Sequence, residues 1–150
     1  MLLRLSKFAL LVIAIATMLG AAEDPFTGTW NLDVAKSKIH PGPAPQSQTV
    51  SIAPDGKVSF HAVAADGKTK DWSYLPSSDG TPSQITGVPD STVTIRKLGN
   101  GTVEHVWKFG PATERGKAVL SKDGKVMTYT LRGKNSQGQA VHEVEIYEKQ

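Results

Sequence analysis

The side chains of this sequence best suited to chemistry are four histidines and one pair of carboxylates. Glu143 and Glu145 lie two residues apart, which puts both carboxyl groups on one face of a strand, as a general acid and base would need. His40, His61, His105 and His142 stand singly, with no His-x-x-x-His pair. A metal would therefore need ligands that converge from separate strands, with His105 beside Trp107 as a starting point. Simpler readings are a solvated strand face for the two glutamates and hydrogen-bonded or solvent-tipped histidines. The sequence has no Gly-x-Ser-x-Gly, no His-Glu-x-x-His, no phosphate-cradling glycine loop and no dinucleotide fingerprint. Its lack of cysteine excludes a thiolate zinc site, a cysteine nucleophile, a disulfide scaffold and a lipid-modified cysteine. The expectation is a protein that is not an enzyme and holds neither metal nor cofactor. A small enzyme using His105 or the Glu143 and Glu145 pair is the competing reading.

Length and charge narrow the class. A chain of 150 residues is one domain's worth. Residues 1–22 have the three-part pattern of a secretory signal: Arg4 and Lys7, an apolar run over 8–19, then Gly20, Ala21 and Ala22. That run is shorter than the roughly 20 residues needed to cross a bilayer. We expect export to the periplasm or outside the cell, cleavage near Ala22, no stable membrane span afterwards, and a domain over 23–150. Seventeen Lys and Arg against 14 Asp and Glu give a formal charge of +3, and loss of Arg4 and Lys7 would bring it to about +1. With no run of basic residues, nucleic acid is not expected as a partner.

The elements that would position these residues are strands. Asp-Gly and Asn-Gly turns recur at 55–56, 66–67, 79–80, 100–101 and 123–124, and they supply the positive φ of tight hairpins. Between them lie short segments rich in Val, Ile, Thr and aromatics, with no sustained helical period after the leader. Strands are expected over 27–33, 48–53, 58–63, 70–75, 84–87, 92–97, 102–109, 114–120, 126–131 and 140–147. Alternation places Val58, Phe60 and Ala62 on one inner face, Trp72 and Tyr74 on the next, then Val103, His105, Trp107 and Phe109, then Met127, Tyr129 and Leu131. Hairpin connections in sequence make an all-β, antiparallel up-and-down barrel of 8–10 strands, since closure removes the edges of so large a meander. The stretch 34–47, with Pro41, Pro43 and Pro45, is an irregular strap, either a plain linker or a lid over an open end.

The ends of the chain carry a resemblance. Phe26-Thr27-Gly28-Thr29-Trp30-Asn31-Leu32, followed by Lys36-Ser37-Lys38, resembles the opening strand of the calycins, the lipocalins and fatty-acid-binding proteins, with its Gly-x-Trp core. Ile146-Tyr147-Glu148-Lys149 is similar to the closing strand of the fatty-acid-binding proteins. The layout also resembles small exported bacterial proteins described as lipocalin-like. The resemblance implies a calycin barrel in which Gly28 bends the first strand, Trp30 plugs the closed end and Tyr147 belongs to the structural motif. Two departures stand out. The strap replaces the family's helix-turn-helix, and the family's carboxylate-holding Arg-x-Tyr is here Glu145 and Tyr147.

Hydrophobicity and resemblance disagree in this last strand. The first places Val144 and Ile146 inward, and is the reading we adopt; the second would bring in Glu143, Glu145 and Tyr147 with Val141. Inward carboxylates would need Arg96, Arg115 or Arg132 as partners, or a cationic ligand. The sequence thus leads to an exported, monomeric, lipocalin-like barrel that binds a small, largely apolar molecule against Phe60, Trp72, Tyr74, His105, Trp107, Met127 and Tyr129. The alternative is a barrel packed solid by its own side chains, a non-catalytic interaction or structural module of the envelope. A lumen below roughly 300 Å³ would favour it.

Overall fold

Turn chemistry sets the strand boundaries. In three Asp-Gly-Lys turns the aspartate accepts the lysine amide two residues on, Asp55 from Lys57 at 3.0 Å, Asp66 from Lys68 and Asp123 from Lys125 at 3.1 Å. The computed structural model describes residues 22–150; the leader, but for Ala22, lies outside the described residues. Ten strands follow: β1 (Gly28–Leu32), β2 (Ser47–Ile52), β3 (Val58–Val63), β4 (Thr69–Tyr74), β5 (Ser83–Gln84), β6 (Ser91–Gly99), β7 (Thr102–Phe109), β8 (Ala112–Leu120), β9 (Val126–Lys134) and β10 (Ala140–Lys149). All pair antiparallel in one sheet, ordered β4-β3-β2-β1-β10-β9-β8-β7-β6-β5. This is the meander expected, with β10 returning beside β1. The barrel is nearly closed, its two edges meeting at a single bridge between Ser73 and Thr86 with N–O distances of 3.0 and 2.8 Å.

Trp30 is wholly buried. Its indole nitrogen donates to the Phe26 carbonyl at 2.8 Å, and the Lys149 ammonium lies 5.2 Å from the ring centroid. Phe26, Leu32, Val103, Ala118, Met127 and Tyr147 pack around it. Gly28 precedes it at φ +134°, a conformation other residues rarely adopt, so the chain bends into β1 where the resemblance requires. A second apolar cluster joins Val58, Tyr74, Ile85, Val93 and Trp107 across the other wall.

One open alternative is decided and one expectation needs correction. The strap is the plain linker rather than a lid. Its backbone is tied alongside β10: Lys38 and Val144 exchange hydrogen bonds of 2.8 Å each way, and the His40 carbonyl accepts from His142 at 2.8 Å. No residue of 33–47 lines the cavity, and Val34 packs against the Trp30 cluster. In β10, Glu143, Glu145 and Tyr147 face inward with Val141, and Val144 and Ile146 face out. Register decides this against hydrophobicity. Glu143 sits opposite Leu131, Glu145 opposite Tyr129 and Tyr147 opposite Met127 and Leu32, all inward residues of the adjoining strands. The apolar outward pair is half-buried where Asp33, Ser37 and Lys38 hydrogen-bond to its backbone.

Candidate functional site

The interior is hollow. A cavity of about 870 Å³ runs through the barrel, far above the lower bound for a small-molecule pocket and too large for a solid barrel. Phe60, Trp72, Tyr74, His105, Trp107, Met127 and Tyr129, the seven side chains singled out from alternation, all line it. At one rim stand Asp24, Asp55 and the loop residues 77–80.

Aromatic rings form one wall. Phe60 and Trp72, paired between β3 and β4, stack with centroids 4.3 Å apart. Trp107 is the hub: Trp72 meets it edge-on at 5.5 Å, Tyr74 at 5.6 Å, and His105 and Phe109 stack beside it at 5.5 and 6.1 Å. Its indole nitrogen donates to the Tyr129 hydroxyl at 2.6 Å. Gly116 makes that possible, because a Cβ there would fall 1.8 Å from the same hydroxyl.

The wall that adjoins it is polar and acidic. His105, Gly116, Leu131 and Glu143 lie in one row across β7 to β10; Trp107, Glu114, Gly133 and Val141 form the next. A Cβ on Gly133 would lie 2.8 Å from the Glu114 Cα, so the strands close tightly there and leave Glu114 and Glu143 without a side chain between them. Glu145 is 7% exposed; it accepts from the Tyr147 hydroxyl at 2.6 Å and from Gln48 Nε2 at 3.3 Å, and Gln48 also bonds Tyr147. Glu114 is 8% exposed, and among the described residues no side chain bonds or pairs with its carboxylate.

Burial sets the protonation states. Desolvation raises the Glu143 carboxyl to about 8, with Glu145 and Glu114 adding repulsion. Burial raises Glu145 too, partly offset by its hydrogen bonds from Tyr147 and Gln48, and burial alone raises Glu114. Burial lowers His105 to about 4, so its imidazole is neutral near pH 7. Its Nδ1 is shut off from solvent with no partner among the described residues. The arginines proposed to neutralise inward carboxylates stay outside: Arg115 and Arg132 are exposed, and exposed Arg96 pairs with Glu104 at 2.8 Å.

The other histidines do not converge on the site. His40, His61 and His142 are exposed, with His61 pairing to Asp71 at 2.7 Å on the outer surface. Among the described residues no set of three His, Asp or Glu side chains could hold a metal ion. Sequence reasoning missed Glu114 and Gln48. The available signal for Glu114 was the period-two run of Ala112, Glu114, Gly116 and Ala118, small residues against polar Thr113, Arg115 and Lys117.

These features define a calycin-like barrel with an open lumen. No family model matches the chain, and no curated protein is similar to it in sequence. Solved structures do match. A mutant of the fluorescent protein UnaG superposes with a TM-score of 0.56 at 15% identity, covering 84% of this chain and 96% of its own. Fatty-acid-binding protein 1 of Echinococcus granulosus gives 0.51 at 15% identity, covering 83% and 97%. The likeness is one of fold, over nearly the whole of each neighbour, and it agrees with the resemblance at the two chain ends.

Proposed function

We propose that this protein binds a small, largely apolar molecule inside the barrel and acts as a carrier or sensor, not a catalyst. The observation that carries the reading is the 870 Å³ lumen walled by stacked aromatic rings. Such a volume is typical of pockets that enclose most of a drug-sized ligand, and apolar walls with few polar groups are their usual lining. The fatty-acid-binding neighbour, whose name states its ligand class, is consistent with this use of the fold. Phe60, Trp72, Tyr74, His105, Trp107, Met127 and Tyr129 would contact the ligand. The leader pattern at 1–22 supports export to the periplasm or outside the cell.

Native mass spectrometry of the protein isolated gently from the fraction that exports it tests this. We expect an extra mass that leaves on denaturation, and a change in tryptophan fluorescence on rebinding, since Trp72 and Trp107 line the lumen. No bound mass, with no thermal stabilisation by a panel of lipids and aromatics, would overturn the reading.

A further inference from the structure

The acidic wall gives the lumen a chemical preference. Glu114, Glu143 and Glu145 border one cavity from β8 and β10, and among its lining residues the basic side chains, Arg96 and Lys97, are occupied elsewhere. Arg96 bonds Glu104 on the outside, and Lys97 is paired with Asp24 at the rim. A carboxylate ligand would meet three acids and no free cation. One further observation bears on the head group. Glu114 is more than nine-tenths buried, lines the cavity, and among the described residues has no side chain bonded to its carboxylate. Buried polar groups are normally satisfied, and this carboxylate is placed for a guest in the lumen to satisfy it. Aromatic faces close by, from Trp107 beside Glu114 and from Trp72 packed on Trp107, attract positive rather than negative charge.

We propose that the ligand of this cavity carries an organic ammonium group on its apolar body, seated among Glu114, Glu143 and Glu145. This rests on the ligand-binding reading above and adds the head group to it. The apolar body lies against the aromatic wall, while the ammonium N–H groups donate to the carboxylates. A metal is the wrong cation, because the three carboxylates do not converge closely enough to ligate one. Charge-assisted hydrogen bonds to carboxylates set in the lumen wall supply the selectivity.

A matched series tests this: dodecylamine, dodecanol and dodecanoic acid, each below its micellar range, titrated at pH 7.5 with tryptophan fluorescence as the readout. We expect the amine to bind roughly tenfold or more tighter than the alcohol, and the acid to bind most weakly. Glu114→Gln should shrink the advantage of amine over alcohol about tenfold. An acid or alcohol that binds as tightly as the amine overturns the ammonium proposal and leaves ligand binding standing. Failure of all three, with no native ligand found, overturns both. If the variant does not fold, the wild-type ranking decides alone; if it folds with the ratio unchanged, the carboxylate seat is wrong.

Discussion

Around Trp30 the wall is packed, with Phe26, Leu32, Val103, Ala118 and Met127 about an indole that has no exposure and takes no part in the lumen, although Met127 and Phe26 border it. Along the rows from His105 to Glu143 and from Trp107 to Val141, the same sheet leaves a lumen. The contrast lies in composition, because both regions obey the same inward and outward alternation. Apolar residues enclose the indole in the first; Gly116 and Gly133 thin the second, which also carries the carboxylates of Glu114 and Glu143. A packed end holds the fold, and an underfilled, charged region is left available to a guest.

The largest test of that contrast is Trp30→Ala, which should lower stability by about 3–5 kcal/mol in urea unfolding, as expected for an indole enclosed on all sides. Trp107→Ala should lose less, because one side of this ring borders empty space. Equal losses would erase the difference between the two regions. Acidification comes next. The His105 imidazole falls from 6.5 to about 4, so the unfolded chain takes up its proton first and stability drops between those values, by about 3 kcal/mol at 1.36 kcal/mol per unit. His105→Phe should remove that part of the acid limb, while Asp24 and Asp79, both lowered, keep the remainder.

Glu143 acts in the opposite sense. Glu145 and Tyr147 face it from its own strand, Tyr129 from β9, Glu114 from β8, His105 from β7 and Gln48 from β2. Its raised carboxyl favours the folded state below about 4.5, and that contribution is lost as pH climbs toward 8. The ligand-free protein should therefore be most stable in mildly acidic buffer, and Glu143→Gln should flatten the alkaline side of the thermal stability profile. Gly116→Ala should cost about 1–3 kcal/mol, since the new methyl displaces the Tyr129 hydroxyl and breaks its bond from Trp107. Smallest is Glu114→Gln, for which we expect a melting temperature equal to or slightly above wild type at pH 8. A carboxylate held by a partner would instead lose stability on neutralisation.

Most of the architecture was legible in sequence because its signals are local. Asp-Gly turns and period-two alternation act over ten residues or fewer, and Phe60 stands between polar Ser59 and His61. The acidic wall was hidden for the converse reason. In β10 both faces carry large residues, so alternation cannot choose between Val144 with Ile146 and Glu143 with Glu145. Register against Met127, Tyr129 and Leu131 chooses, and register is a property of the paired strands. Glu114 was masked by its small companions in β8, whose purpose shows only when Tyr129 is seen occupying the space above Gly116.

The seam between Ser73 and Thr86 has a bearing on motion. From β4 round to β6 the strands are laced by longer ladders, whereas here two backbone hydrogen bonds join the edges, beside a strand of only two residues. Native proteins open in cooperative patches whose free energies follow the number of bonds and contacts broken. The amide protons of Ser73 and Thr86 should consequently exchange with solvent deuterium well before those of β9 and β10, through excursions that part the wall without unfolding it. The barrel is a hoop with one clasp, and the clasp adjoins Trp72, so its breathing leads directly to the aromatic side of the lumen.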